Sequence, residues 1–291
     1  MKRYTFSISV ILLSCLVVYC VVLAHVPKQL RVSFLDVGQG DAIFIQSPSG
    51  IQVLVDGGVN ARVIESLNEV MPLFDKSIDL VIATHPDADH VGGLVDVFEK
   101  FTIHSFLESG GKSENGVQEI LNKKVIEEKV NHIIARRGQV FDLGEGVMLT
   151  ILFPYTDVSN LESNAGSIVL QITYGEQSFL LTGDAPTETE LFLVGADEES
   201  LRSSVLKLGH HGSRTSTSPL FMNYVKPHYS VVSSGKENRY GHPDKNVLEI
   251  VQRFQSKVLR TDELGTITFS TNGKEIEVLN LPEDFQEEIP E

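Results

Sequence analysis

Between Ala83 and Gly93 the chain reads Ala83-Thr84-His85-Pro86-Asp87-Ala88-Asp89-His90-Val91-Gly92-Gly93, with two imidazoles and two carboxylates inside six residues. Neutral imidazole and carboxylate are both good donors to divalent cations, and their mixture suits Zn²⁺, Mn²⁺ or Fe²⁺ better than Ca²⁺. Pro86 biases His85 towards extended backbone, so the segment begins as a loop able to turn several donors to one point. A solvated acidic loop capped by Asp89 is the plainer explanation. It leaves the two histidines and the glycine pair unaccounted for, whereas a metal site uses all of them.

The elements that would carry this cluster follow from periodicity. Arg31–Asp36, Ala42–Gln46 and Ile51–Val55 are β-rich pieces separated by turn residues, and Ala61–Phe74 has a helical pattern. Leu80–Ala83 is an apolar strand leading into the cluster, Val91–Lys100 a helix leading away, and Ile103–Leu107 a further strand. In the second half, Val147–Phe153, Ile168–Tyr174, Ser178–Leu181, Ser204–Leu208 and Tyr229–Ser233 read as strands. Thr187–Val194 and Lys245–Phe254 read as helices, and Val258–Leu259, Thr266–Ser270 and Glu275–Leu279 as closing strands. Two β-rich halves punctuated by helices predict two sheets packed together with helices outside, sharing one core.

His85-x-Asp87-x-Asp89-His90 followed by Gly92-Gly93 resembles the metallo-β-lactamase signature. Asp87, in place of the usual histidine, resembles one branch of it: the hydrolase domain of the DNA-uptake competence protein ComEC and its free-standing relatives. Matching pieces run in family order: Phe34-Leu35-Asp36-Val37-Gly38-Gln39-Gly40-Asp41-Ala42, Val55-Asp56-Gly57-Gly58, Leu181-Thr182-Gly183-Asp184, Lys207-Leu208-Gly209-His210-His211-Gly212-Ser213 and Arg239-Tyr240-Gly241-His242-Pro243. The likeness extends from about Arg31 to Leu279. It implies an αββα sandwich of two mixed sheets with helices outside, and one or two divalent ions, Zn²⁺ or Mn²⁺. His85 and Asp87 would face one metal, Asp89 and His90 the other, with Asp184 bridging. A histidine of the His210-His211 pair would complete the second site, with His211 preferred and His210 its neighbour. Where the wider family has another histidine, Asn164 stands, a weaker donor.

Other residues carry lesser expectations. Asp36, Asp41 and Asp56 sit at turns, where Asp serves local hydrogen bonds, and are assigned orienting roles behind the ligands. His242 lies among Lys236, Arg239 and Lys245, a basic island suited to holding phosphate while His242 assists a leaving oxygen. Ser213 would add a hydrogen bond. His25, His104, His132 and His228 fit no pattern.

The resemblance implies a metal-dependent phosphodiesterase or nuclease, in which an activated hydroxide attacks phosphorus while Asp89 and Asp184 orient it. A lactone, thioester or β-lactam hydrolase is the first alternative, because one fold hosts many chemistries. A non-catalytic exported module binding DNA or a partner is the second. The formal charge of −15 (24 basic, 39 acidic residues) opposes generic nucleic-acid binding, although two divalent ions would restore about four positive charges locally.

The chain of 291 residues, 42% hydrophobic, divides into an N-terminal segment (1–27), a hydrolase-like body (28–281) and an acidic tail (282–291). Lys2 and Arg3 precede an uncharged apolar run from Tyr4 to Pro27. Roughly twenty helical residues span a bilayer core, and basic residues before the run favour export of the body after it. An uncleaved anchor or a signal peptide cut after Ala24 both fit, the anchor slightly better. Cys15 and Cys20 are the only cysteines and both lie in this run, so the body has neither disulfides nor thiolate ligands. With one candidate span, any DNA-uptake channel would be a separate protein.

Overall fold

The computed structural model describes residues 10–18, 29–113, 116–236, 238–279 and 281. The segment read as anchor or signal falls mostly outside them. Residues 10–18 are helical, and among the described residues no helix is long and apolar enough to cross a membrane. The acidic tail also lies outside the described residues.

The first half contributes strands β1 (Leu30–Phe34), β2 (Ile43–Gln46), β3 (Gln52–Val55), β4 (Ser77–Ala83), β5 (Thr102–Glu108) and β6 (Asn131–Ile134). The second contributes β7 (Val140–Asp142), β8 (Val147–Phe153), β9 (Val169–Tyr174), β10 (Gln177–Leu181), β11 (Val205–Lys207), β12 (Tyr229–Val232), β13 (Lys257–Arg260), β14 (Ile267–Thr271) and β15 (Ile276–Leu279). One sheet runs β15-β14-β1-β2-β3-β4-β5-β6 and the other β13-β12-β11-β10-β9-β8-β7. Each is mixed: β3 to β6 and β10 to β13 are parallel, the remaining pairings antiparallel. β14 and β15 come from the end of the chain but join the first sheet, so the sheets do not simply divide the sequence in two.

Alternation along the strands explains the layering. Val32, Phe34, Ile43, Ile45, Val53 and Val55 face Leu149, Ile151, Leu170, Ile172, Phe179 and Val205 across the space between the sheets. Their chain neighbours Phe44 and Leu54 point outwards, as do Val169, Leu180 and Leu206. A strand residue and its successor point to opposite faces, and strands covered on both faces read as continuous apolar runs.

Helices α1 (Arg62–Val70), α2 (Ala88–Val91), α3 (Leu94–Lys100) and α4 (Gly116–Glu127) belong to the first half. α5 (Thr187–Asp197), α6 (Pro219–Val225), α7 (Lys245–Arg253) and α8 (Thr261–Leu264) belong to the second. Val63, Leu67, Leu94, Val97, Phe98 and Leu121 cover the outer face of the first sheet. Leu193, Phe221, Met222, Val225, Val247 and Val251 cover the second. The result is the expected αββα sandwich.

Two helices differ from the sequence reading. The first ends at Val70, because Met71 precedes Pro72 and turns to extended backbone at ψ 153°. The second, expected over Val91–Lys100, starts only at Leu94, and Gly92-Gly93 separates it from the short α2, which ends at Val91. A Cβ on Gly93 would lie 2.1 Å from the carbonyl oxygen of Gly57 and 2.5 Å from that of Asn60. Both obstacles are backbone, which cannot rotate aside. Gly93→Ala is therefore expected to destabilise the protein by about 3 kcal/mol through overpacking. A lower urea midpoint at unchanged slope checks this, and an unchanged midpoint would refute it.

Candidate metal centre

Strand direction brings the candidate residues together. β1, β3, β4, β8, β10, β11 and β12 all finish at one end of the sandwich, and the loops after them carry Asp41, Asp56, His85, Asn164, Asp184, His211 and His242 respectively. Open α/β sheets commonly bind ligands outside the carboxyl ends of their strands, where loops meet. Gly40, at φ +112°, lets the loop after β1 press against α2: a Cβ there would sit 1.9 Å from the carbonyl oxygen of Asp89.

Three imidazoles point inwards. His90 Nδ1 lies 2.8 Å from Asp56 Oδ2, which leaves Nε2 facing Asp184 Oδ1 at 3.4 Å. His85 Nδ1 is 3.0 Å from Thr84 Oγ1, with Nε2 3.7 Å from Asp87 and 3.9 Å from Asp184. His211 Nδ1 donates to the carbonyl of Ser233 at 2.9 Å, and its Nε2 is 3.4 Å from Asp89 and 3.6 Å from Asp184. His210, by contrast, is part-exposed and contacts Thr215 through Nδ1, with Nε2 3.7 Å from Asp184. The structure thus turns His211 into the centre and leaves His210 at its rim.

The carboxylates fall into two groups. Asp87, Asp89 and Asp184 present oxygens to the Nε2 atoms, whereas Asp56 and Asp41 stand behind the rings. Asp56 is fully buried at φ 59° and accepts from Thr84 N at 2.8 Å and Thr84 Oγ1 at 2.7 Å as well as facing His90. Asp41 Oδ1 lies 3.3 Å from His211 Nδ1, and Asp41 Oδ2 lies 3.8 Å from His90 Nδ1. Asp41 Oδ2 also pairs with the ammonium of Lys207, a side chain with no solvent exposure.

Burial and neighbours set the proton balance without metal. Burial, helped by the charge of His90, pushes His85 down to about 3, so its ring is neutral with a lone pair to offer. Burial also opposes charge on His211, but Asp184 and Asp41 outweigh it and push the ring up to about 9. His90 is likewise held well above its ordinary value, by Asp184 and Asp56 against burial. Burial alone would raise Asp184, yet His211 and His90 hold it well below the usual carboxylate range. A divalent cation held at these nitrogens would take the place of a proton on His90 and on His211.

The remaining candidates lie around this core. Asn164 Oδ1 is buried with no hydrogen-bond partner. Its turn is tied down by Ile168 N donating to Thr84 O at 2.9 Å, and Asp184 N donating to Ser167 Oγ at 3.3 Å. His242 has its ring centroid 5.5 Å from His210 and 6.5 Å from His211; Asn238 holds its backbone at both N–H and C=O. Burial, with His210 and His211, keeps its pKa below the ordinary value. Lys236, Arg239 and Lys245 are exposed along this loop and at the start of α7. Ser213 Oγ is engaged by Thr215 Oγ1 at 3.1 Å. Asp36 stands away from the imidazoles, paired with Arg62 at 2.7 Å and accepting from Gly38 N. Two contributors were given no role from sequence: Thr84, which anchors Asp56, and Lys207, which opens one of the matching pieces and is a charge inside the apolar run Val205-Leu206-Lys207-Leu208.

The donors fit a divalent ion on one observation. The Nε2 atoms of His85, His90 and His211, together with Asp184 Oδ1, are all buried and lack a hydrogen-bond partner. Buried polar atoms are rarely left so, and here four of them share one small space. A cation among them would satisfy all four.

Residues 35–236 match the Metallo-beta-lactamase superfamily. ComE operon protein 3 of Bacillus subtilis (strain 168) is 31% identical over 256 residues, which cover 82% of this chain and 33% of that protein. Competence protein ComA of Neisseria gonorrhoeae is 33% identical over 245 residues, 83% of this chain and 32% of that protein. The chain thus spans about a third of the length of these relatives. Among solved structures, Igni18, a metallo hydrolase from Ignicoccus hospitalis, superposes with a TM-score of 0.51 at 17% identity, covering 83% of this chain and 98% of that one. CmlA, a diiron beta-hydroxylase from Streptomyces venezuelae, superposes with a TM-score of 0.54 at 14% identity, covering 83% and 54%. At such identities these two speak for the fold alone.

Proposed function

Because the chain belongs to the metallo-β-lactamase superfamily, we propose that it is a metal-dependent phosphodiesterase that cleaves DNA outside the cytoplasm. The observation that carries a metal-dependent reaction is the set of buried, unpartnered Nε2 atoms gathered around Asp184. His85, Asp87 and Asp184 would hold an ion on one side, and Asp89, His90, His211 and Asp184 on the other. Such ions supply Lewis acidity and make water acidic enough to act at neutral pH.

The protein's own groups do the rest. Asp56 and Asp41 hold the rings of His90 and His211 from behind, so the donor atoms are fixed before substrate arrives. His242 stands beside His210 at the rim, where a ring N–H can hydrogen-bond to a departing oxygen. Lys236, Arg239 and Lys245 are exposed near that rim and suit phosphate oxygens, in a chain whose charge is otherwise −15. The relative named a competence protein, with the resemblance to the DNA-uptake branch, supports DNA as the polymer. Export rests on Lys2, Arg3 and the apolar run after them.

Incubating the full-length protein with Mn²⁺ or Zn²⁺ tests the reaction, with single-stranded DNA, a chromogenic phosphodiester, and a lactone and a thioester as substrates. Cleavage of both phosphodiesters is expected, with a loss of more than about 100-fold in Asp89→Ala, beyond what an orienting residue costs. Cleavage of the acyl substrates alone would favour the acyl hydrolase. Intact substrates throughout, with no metal retained, would favour a binding module.

A further inference from the structure

Lys207 ends β11, in the second sheet, and its side chain is wholly buried. Its ammonium donates to the carbonyl oxygen of Gly183 at 2.8 Å, pairs with Asp41 Oδ2 across to the first sheet, and lies 3.6 Å from Asp184 Oδ1. Burying a charge this deeply costs more than its pairing usually returns, and an apolar residue of similar length would normally serve packing better. The bland reading is a filler that closes the gap between the sheets. Two features go against it. The amine touches both a carboxylate that faces the imidazole donors and one that stands behind them. Moreover, the carboxylates crowded here are five (Asp41, Asp56, Asp87, Asp89 and Asp184), and among the described residues the ion pairs of these five include one ammonium, that of Lys207.

Asp41 makes the need concrete. Its oxygen lies within 4.8 Å of donors on His90, Asp184 and His211, so by distance Asp41 could itself be a ligand. The ion pair with Lys207 keeps it on the Nδ1 side of both rings instead.

We propose that Lys207 is a resident cation of the centre: it holds Asp41 and Asp184 in place before any divalent ion binds, and keeps Asp41 from becoming a ligand. This rests on the metal-centre reading, though not on the identity of the substrate. The site is then pre-formed, and a divalent ion becomes necessary for the fold only when the ammonium is removed.

Thermal unfolding of the full chain, with EDTA and with saturating Zn²⁺, separates this from packing. Lys207→Met is expected to lower the metal-free midpoint by about 10 °C or more. Zn²⁺ should recover most of that loss, so that its stabilising shift is larger in Lys207→Met than in the wild type. Lys207→Met with Asp41→Asn, which removes both charges, should bring the metal-free midpoint back up. Equal losses with and without Zn²⁺ would overturn the assignment. If the single variant does not fold in either condition, the double variant decides: a folded double variant supports a role through charge, and an unfolded one overturns it. Wild-type protein that retains no metal by elemental analysis would remove the metal-centre reading and this assignment together. Failure of the assignment alone looks different, since the wild type then takes up metal and the variant merely shows no extra shift.

Discussion

Asp184→Asn is expected to strip the protein of metal and to lower metal-dependent hydrolysis by more than about 100-fold, beyond the 10–100-fold typical of residues that only orient ligands. The substitution preserves shape and backbone, including the bond from the residue's N–H to Ser167 Oγ. What it removes is the negative charge on the group that four imidazole nitrogens approach: His90 at 3.4 Å, His211 at 3.6 Å, His210 at 3.7 Å and His85 at 3.9 Å. An amide offers one weaker oxygen and presents an N–H where a cation should sit. The same change leaves Lys207 facing a neutral group, so some stability goes as well. Elemental analysis beside a hydrolysis assay separates the two effects. A variant that kept its metal at wild-type stoichiometry would show that Asp184 is not a ligand.

The central place of Asp184 was legible through the family resemblance carried by Leu181-Thr182-Gly183-Asp184, and the structure adds that this piece closes a strand, as Thr84-His85 and Val55-Asp56 do. Short apolar runs bounded by turn residues located those strands, and parallel strands put such endings side by side. Sequence was silent where patterning is weak. α4 carries exposed Ile120 and Ile126, so its apolar face does not stand out from its polar one. β6 and β7 are short strands with largely exposed side chains, and α6 is only seven residues long. Within the centre, the two histidines at 210 and 211 are chemically identical in sequence, and both take positive φ (49° and 55°). Only the strand they follow, and the Ser233 carbonyl beneath it, decide which ring turns in. Lys207 was illegible for a related reason. A charge in a short strand reads as a solvated face until topology covers both sides of that strand.

Asp56 separates the contribution of the fold from that of the ligands. Asp56→Ala is expected to cost about 3–5 kcal/mol, since removing one partner of a buried charged network leaves the others unpaired. Three groups would lose their acceptor: Thr84 N–H, Thr84 Oγ1 and His90 Nδ1. Alanine also sits badly at φ 59°, a left-handed conformation that Asn and Asp tolerate better than most residues. Asp56→Asn avoids both problems in part, because its amide oxygen can still accept while the backbone remains comfortable. It removes the charge that holds the proton on His90 Nδ1, so metal affinity should fall by about 10–100-fold with a much smaller loss of stability. Urea unfolding of the metal-free proteins and calorimetric metal titration give the two numbers independently. If Asp56→Asn bound metal as the wild type does, the charge of Asp56 would play no part in readying His90 for metal, and an acceptor oxygen 2.8 Å from Nδ1 would be enough to orient the ring.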